Sequence, residues 1–175
     1  RLAKGKSGLF RTEAPIALPE DRARLKEAIA ACEPLGATPD GKQICLYRRL
    51  GQHHTPILRE LGRLREIAFR AVGEGSGQRR DLDRYDDDYF HLLLWDAEAL
   101  EIVGAYRLIP TADQLAHRGI SGLYSHTLFE YDSSMEAVLA QGIELGRSFI
   151  QPAYWGRRSL DYLWQGIGAF LARNP

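Results

Sequence analysis

Two apolar runs, Phe90 to Trp95 and Ile102 to Ile109, stand on either side of the polar stretch Asp96-Ala97-Glu98-Ala99. Runs of this length with so short a break predict an antiparallel hairpin at the centre of a sheet. A central hairpin needs a layer on each face, so helices must be found in the flanking sequence. Leu58, Leu61, Leu64, Ala68, Ala71 and Val72 recur on one stripe from Pro56 to the breaker Gly73-Glu74-Gly75-Ser76-Gly77, which predicts one such helix. A second is predicted over 157–172, with Leu160, Leu163, Trp164, Ile167, Phe170 and Leu171 on its buried face.

Shorter elements complete the reading. Leu25, Ala28, Ile29 and Cys32 follow Pro19 at helical spacing and stop before Pro34 and Gly36. Ile44-Cys45-Leu46-Tyr47, after the turn signal Asp40-Gly41, reads as a strand, as does 143–150. Residues 111–117 predict a turn or two of helix, and Ser133 with Glu136 spells a capping box opening a helix to Ala140. Gln78 to Asp88, dense in charge and poor in apolar residues, is expected as a surface loop. The fold class is α/β or α+β, with residues 1–52 as an arm or linker carrying one helix and one strand, and 53–175 as the main domain.

Charge and cysteine usage narrow the function classes. With 23 basic and 23 acidic residues among 175, the formal net charge is zero, which argues against nucleic acid and against bulk attraction to an anionic membrane. Cys32 and Cys45 are too few for a disulfide framework and lack zinc-site spacing, so a reduced, cytoplasmic setting is expected. No apolar run approaches the roughly 20 residues that span a bilayer. His53, His54, His117 and His126 find no third ligand at metal spacing, and no metal is expected. A start at Arg1 and a stop just after a helix read as a piece of a longer protein.

The segment from Glu144 to Ser159 carries the chemistry. It runs from an apolar strand through the turn Trp155-Gly156 into a helix, a junction that offers backbone N–H groups to an anion. Glu144 and Arg147 place two charges in a strand, three apart and so on opposite faces, where they serve either a site or a sheet-end ion pair. Arg157 and Arg158 at a helix N-terminus oppose the helix dipole unless an anion is bound. Arg107, flanked by apolar residues, reads equally as a paired structural arginine or as an anchor for carboxylate or phosphate.

Four motifs in order carry a resemblance. Arg65 with Phe69, Asp81-Leu82-Asp83-Arg84-Tyr85-Asp86, Gly104-Ala105-Tyr106-Arg107-Leu108 and Glu144-Leu145-Gly146-Arg147 resemble the motifs of acyl-homoserine-lactone synthases. The text from Arg65 to Gly75 is similar to ornithine-lipid N-acyltransferases and to the so-called hemolysins. Over residues 56–172 this implies a GNAT-like mixed, mainly antiparallel sheet flanked by helices, truncated before its last strands. It also implies transfer of a fatty acyl chain, with or without a 3-hydroxyl, from acyl carrier protein to the amine of an amino acid such as ornithine, in lipid biosynthesis. The single glycine of the phosphate turn favours acyl carrier protein over acetyl-CoA. No tightly bound cofactor is implied; fusion to a glycerolipid acyltransferase domain and peripheral association with the inner face of the membrane are.

Aminolysis of a thioester needs a positioned neutral amine, donors for the oxyanion and a proton for the leaving thiolate. Glu144 would order or deprotonate the amine with Arg147 beside it, and Tyr154 or Ser159 would protonate sulfur. Asp83 and Asp86 would hold a cationic substrate side chain, with Arg65, Phe69 and Arg107 as further substrate-binding residues. Phe149, Ile150, Gly156, Arg157 and Arg158 would receive the phosphopantetheine and its carrier. The alternative is a docking or regulatory module of a larger lipid acyltransferase that binds acyl carrier protein without turnover. The string from His91 to Asp96 spells the dyad of glycerolipid acyltransferases, but it lies on an apolar strand and is read as coincidence.

Overall fold

A computed structural model describes residues 13–48 and 55–174. The arm or linker expected over 1–52 falls partly outside this range, and His53 and His54 wholly so. Five strands form one sheet in chain order: β1 (Glu33–Ala37), β2 (Gln43–Tyr47), β3 (Phe90–Asp96), β4 (Glu101–Pro110) and β5 (Ile143–Ile150). Every neighbouring pair is antiparallel, and the predicted hairpin is β3 with β4 at the sheet's centre.

Alternation along the strands sorts side chains into two cores. On one face Cys45, Tyr47, Leu93, Trp95, Ala105 and Phe149 meet Leu25 and Ile29 of α1 (Arg22–Ala30) and Ile57, Leu61, Leu64 and Ala68 of α2 (Pro56–Ala71). On the other, Ile44, Leu46, Leu92, Leu94, Val103 and Leu108 meet α5 (Ser159–Arg173), reached after α3 (Thr111–Arg118) and the short α4 (Glu136–Leu139). Gly166 lets α5 sit close, since a Cβ there would lie 2.8 Å from Ile44 and 3.0 Å from Leu92.

Several expectations need correction. The expected boundary at 52/53 does not divide the fold, because β2 pairs with β3 over five residues. Residues 13–20 are also tied down: Ala14 and Ala17 donate to the carbonyls of Gly77 and Arg79, and Glu20 pairs with Arg59 and Arg80. Strand β1 was unexpected because Pro34 and Gly36 read as breakers; it is an outer strand with an irregular register between those two residues, where proline is tolerated. The buried face of α5 is Tyr162, Leu163, Gly166, Ile167 and Phe170. Leu160, Trp164 and Leu171 lie about a quarter-turn round the helix and are exposed. Ser133 caps no helix: it opens a 3₁₀ turn over 133–135 capped by Asp132, which accepts from the Ser134 N–H, and α4 follows from Met135 without a side-chain cap.

The glycine-rich breaker after α2 folds around a carboxylate. Glu66, fully buried, accepts from the Ser76 N–H and hydroxyl, the Gly77 N–H and Arg70 Nε. Among the described residues no helix is long and apolar enough to cross a membrane.

Candidate active site

The charged segment after α2 is not a solvated loop. Asp81 and Asp86 are buried, and residues 84–87 form a 3₁₀ turn capped by Asp83, whose backbone N–H in turn donates to Asp86 Oδ2 at 2.8 Å. Arginines from three other elements neutralise it. Arg65 of α2 donates to Asp86 Oδ1 at 2.7 Å, Arg107 of β4 to Asp83 Oδ1 at 2.6 Å, and Arg147 of β5 to Asp83 Oδ2 at 3.2 Å. Arg107 also lies 3.2 Å from Asp86, and Arg147 lies 3.4 Å from Asp81.

His91 of β3 closes the cluster. Arg65 Nη2 lies 3.1 Å from His91 Nδ1, and His91 Nε2 lies 3.2 Å from the Asp86 carbonyl, an arrangement that suits a neutral ring protonated at Nε2. Burial first, then the Arg65 charge, push this imidazole down to about 3. Burial alone would raise the Asp86 carboxyl, but Arg65, His91 and Arg107 outweigh it and hold it down at about 2.

Both shifts make the fold sensitive to acid. Between the ordinary value of 6.5 and about 3, the unfolded chain binds a proton that folded His91 refuses, so stability falls as pH drops below 6.5. Asp86 adds a further loss as pH falls from 3.8 towards 2. The urea midpoint is therefore expected to decline from pH 7 to pH 5 and to flatten in His91→Gln. A wild-type midpoint that stays constant over this range would remove His91 from the account.

Glu144 and Arg147 meet on one face of the sheet, not on opposite faces. Arg107 pairs with Gly146 and Ala105 with Phe149, so β5 carries one extra residue in this interval. Arg147, at φ +48°, takes up the bulge in the left-handed region, which is costly for a residue with a side chain. Its guanidinium turns to Asp81 and Asp83 and lies 5.3 Å from the Tyr124 ring. Glu144 accepts from the Tyr89 hydroxyl, from the Tyr124 N–H at 3.1 Å and from the Ser125 N–H at 2.6 Å. It thereby pins the segment after α3 to the sheet.

The other expected residues lie at the far end of β5. A groove of about 400 Å³ is lined by Ser148, Phe149, Ile150, Tyr154, Trp155, Gly156, Arg157 and Leu160. Gly156 turns the chain at φ +74°, and Arg157 and Arg158 are exposed at the start of α5. The Gln151 N–H donates to the Val103 carbonyl, so by alternation Phe149 faces β4 and Ile150 presents its N–H and C=O to the free side of β5. Trp155 Nε1 donates to that Ile150 carbonyl at 2.7 Å.

The remaining expected roles fare unevenly. The Tyr154 ring lines the groove, but its hydroxyl lies 3.2 Å from Glu101 and 3.4 Å from Asp96; burial, then these two carboxylates, raise its pKa. Ser159 is buried in the first turn of α5 and does not line the groove; Ser148, not foreseen, does. Phe69 packs at the edge of the α2 core. Arg65, Asp86 and Arg107 are spent on one another, leaving Asp83 and Arg147, about a quarter exposed, as the cluster's outer members. His91 belongs to this cluster and signalled itself as a lone titratable residue in an apolar strand.

The family described as Acetyltransferase (GNAT) domain matches residues 64–165. The chain is 40% identical over 142 residues to a glycine N(alpha)-acyltransferase of Bacteroides thetaiotaomicron, a match covering 74% of this chain and 42% of that protein. A glycine N(alpha)-acyltransferase of Phocaeicola vulgatus is 38% identical over 131 residues, 68% of this chain and 40% of that protein. An L-ornithine N(alpha)-acyltransferase of Brucella abortus is 34% identical over 126 residues, 62% of this chain and 43% of that protein. The chain thus spans about two fifths of the length of these relatives. No solved structure matches it.

Proposed function

We propose, from the premise that this chain belongs to the GNAT acetyltransferase domain family, that it carries an amino-acid N-acyltransferase site with acyl carrier protein as donor. The observation that carries this reading is the continuity of β5: a groove at its far end, a bulge in its middle and Glu144 before the bulge, along one strand.

The donor would lie along the free side of β5. Exposed Arg157 and Arg158 would meet the phosphate and the acidic carrier, while Phe149, Ile150, Tyr154, Trp155 and Leu160 would line the path of the arm. The outward N–H of Ile150 would pair with an arm amide, as in strand addition. At about 3.3 Å per residue, Ile150 lies roughly 20 Å along the strand from Glu144, too far for both to touch one reacting carbon. The thioester carbonyl would therefore sit at the bulge, where the broken ladder frees main-chain donors around Arg147 and Ser148 for the oxyanion.

The amine then attacks the thioester carbon; the C–N bond forms and the C–S bond breaks. Glu144, by orienting the amine and taking its proton directly or through water, would supply the base. Ser148, which lines the groove beside the bulge, would hydrogen-bond the departing thiolate, which takes its proton from solvent as Glu144 returns the amine's proton there. Relatives named for glycine and for L-ornithine support an amino-acid acceptor. Asp83 and Asp86 already carry arginines, which favours glycine over a cationic amino acid. The product would be an N-acyl amino acid of lipid biosynthesis.

The test is thioester consumption from acyl carrier protein across a panel of amino acids. Glycine-dependent release of the free carrier thiol is the expected result. A carrier that binds but is never deacylated would instead favour the docking module.

A further inference from the structure

The hydrogen bonds that Glu144 accepts are shared unevenly between its two oxygens. Oε2 takes two, from the Tyr89 hydroxyl and from the Tyr124 N–H at 3.1 Å, whereas Oε1 takes one, from the Ser125 N–H at 2.6 Å. An ionised carboxylate offers two lone-pair positions on each oxygen. Oε2 is therefore filled, and the position left over belongs to Oε1. Glu144 is half-buried, so the carboxylate stands at the boundary between the sheet and solvent.

Tyr89 is what holds the carboxylate in this orientation. It is 2% exposed and directly follows the turn over 84–88, its N–H donating to the Tyr85 carbonyl at 3.0 Å. Its ring stands edge-on to Tyr85, 5.9 Å between centroids, and 5.2 Å from the Arg107 guanidinium. The hydroxyl accepts from the Tyr124 N–H at 3.0 Å, and its own proton goes to Glu144. Burial, then the bond to Glu144, push the phenol above its ordinary value of 10, so Tyr89 donates as a neutral hydroxyl. A donor locked by buried packing fixes its acceptor more firmly than an N–H on the half-buried Ser125 can.

Resting on the transferase reading above, we infer that Oε1 of Glu144 is the atom that takes the amine's proton, directly or through water, and that Tyr89 is the positioning residue that keeps Oε1 free for it. As the C–N bond forms and the C–S bond breaks, that proton passes by way of Oε1 to solvent, from which the thiolate takes its own. Tyr89 touches no reacting atom and exchanges no proton.

Thioester consumption from acyl carrier protein, with glycine as acceptor, tests this in variants that keep the packing. Tyr89→Phe retains the ring and leaves the Tyr124 N–H paired with Glu144, so the wild-type melting transition should survive. Its kcat is expected to fall roughly tenfold, the worth of one hydrogen bond to a charged group, with KM for glycine unchanged. Tyr85→Phe removes a hydroxyl from the same aromatic cluster, one that accepts from Arg84 at 2.7 Å, and is expected to leave kcat at the wild-type value. In Glu144→Gln the held group is no longer a base, so adding Tyr89→Phe should lower kcat no further. A purely structural Tyr89 would repeat its loss there in full. Undiminished kcat in Tyr89→Phe, a loss that falls on KM alone, an equal loss in Tyr85→Phe, or the full loss repeated in Glu144→Gln overturns the inference and leaves the transferase reading standing. A wild type that consumes no thioester overturns both.

Discussion

Asp86→Asn is expected to cost about 3–5 kcal/mol of folding stability, the penalty for breaking a buried ion pair from one side. The substitution keeps the shape of the side chain and removes only its charge. Arg65, wholly buried and 2.7 Å from Asp86 Oδ1, is then left facing a neutral amide, with Arg107 3.2 Å from the same atom. Two guanidinium charges would share what Asp83 can still offer. Against a typical total of about 5–15 kcal/mol, such a loss leaves little margin. The urea midpoint at pH 7 measures it. A change below about 1 kcal/mol would mean that water reaches the cluster and screens it.

Glu144→Ala is expected to lower kcat/KM for acyl transfer by roughly 10²–10³-fold, within the range for loss of a positioned general base. Folding should survive, because the released N–H groups belong to the half-buried Tyr124 and Ser125, and the buried Tyr89 hydroxyl keeps the Tyr124 N–H, 3.0 Å away, as a partner. The diagnostic is Glu144→Gln, which keeps the size of the side chain and an oxygen for those N–H groups but is no base: it is expected to lose as much activity as the alanine variant. A loss under tenfold in Glu144→Gln would assign Glu144 to anchoring the segment after α3 and remove it from the chemistry.

The hairpin, α2 and β5 were legible because each is long enough for its apolar period to outweigh local noise. β1 was not, since Pro34 and Gly36 signal a break and only pairing with β2 overrides them. The acidic segment before β3 illustrates a different limit. A run of aspartates reads as solvated, and its burial depends on Arg65, Arg107 and Arg147 arriving from three separate elements, a coincidence in space that spacing along the chain does not reveal. In the candidate site, charges in an apolar strand drew attention to Glu144 and Arg147. Their shared face was hidden, because the bulge falls on an arginine in the left-handed region rather than on a glycine that would have announced it. The pairing that turns the Tyr154 hydroxyl to Glu101 and Asp96, while its ring lines the groove, was equally beyond periodicity.

The order of strands in the sheet bears on how the protein is made. Each strand pairs with its successor, so a chain leaving the ribosome completes one ladder before the next strand emerges, without holding an edge open for a distant partner. The groove is built from β5 and the first turn of α5, the last of these elements to be synthesised. A nascent chain therefore gains this groove only after the acid-sensitive cluster has its aspartates and all three of its arginines in hand.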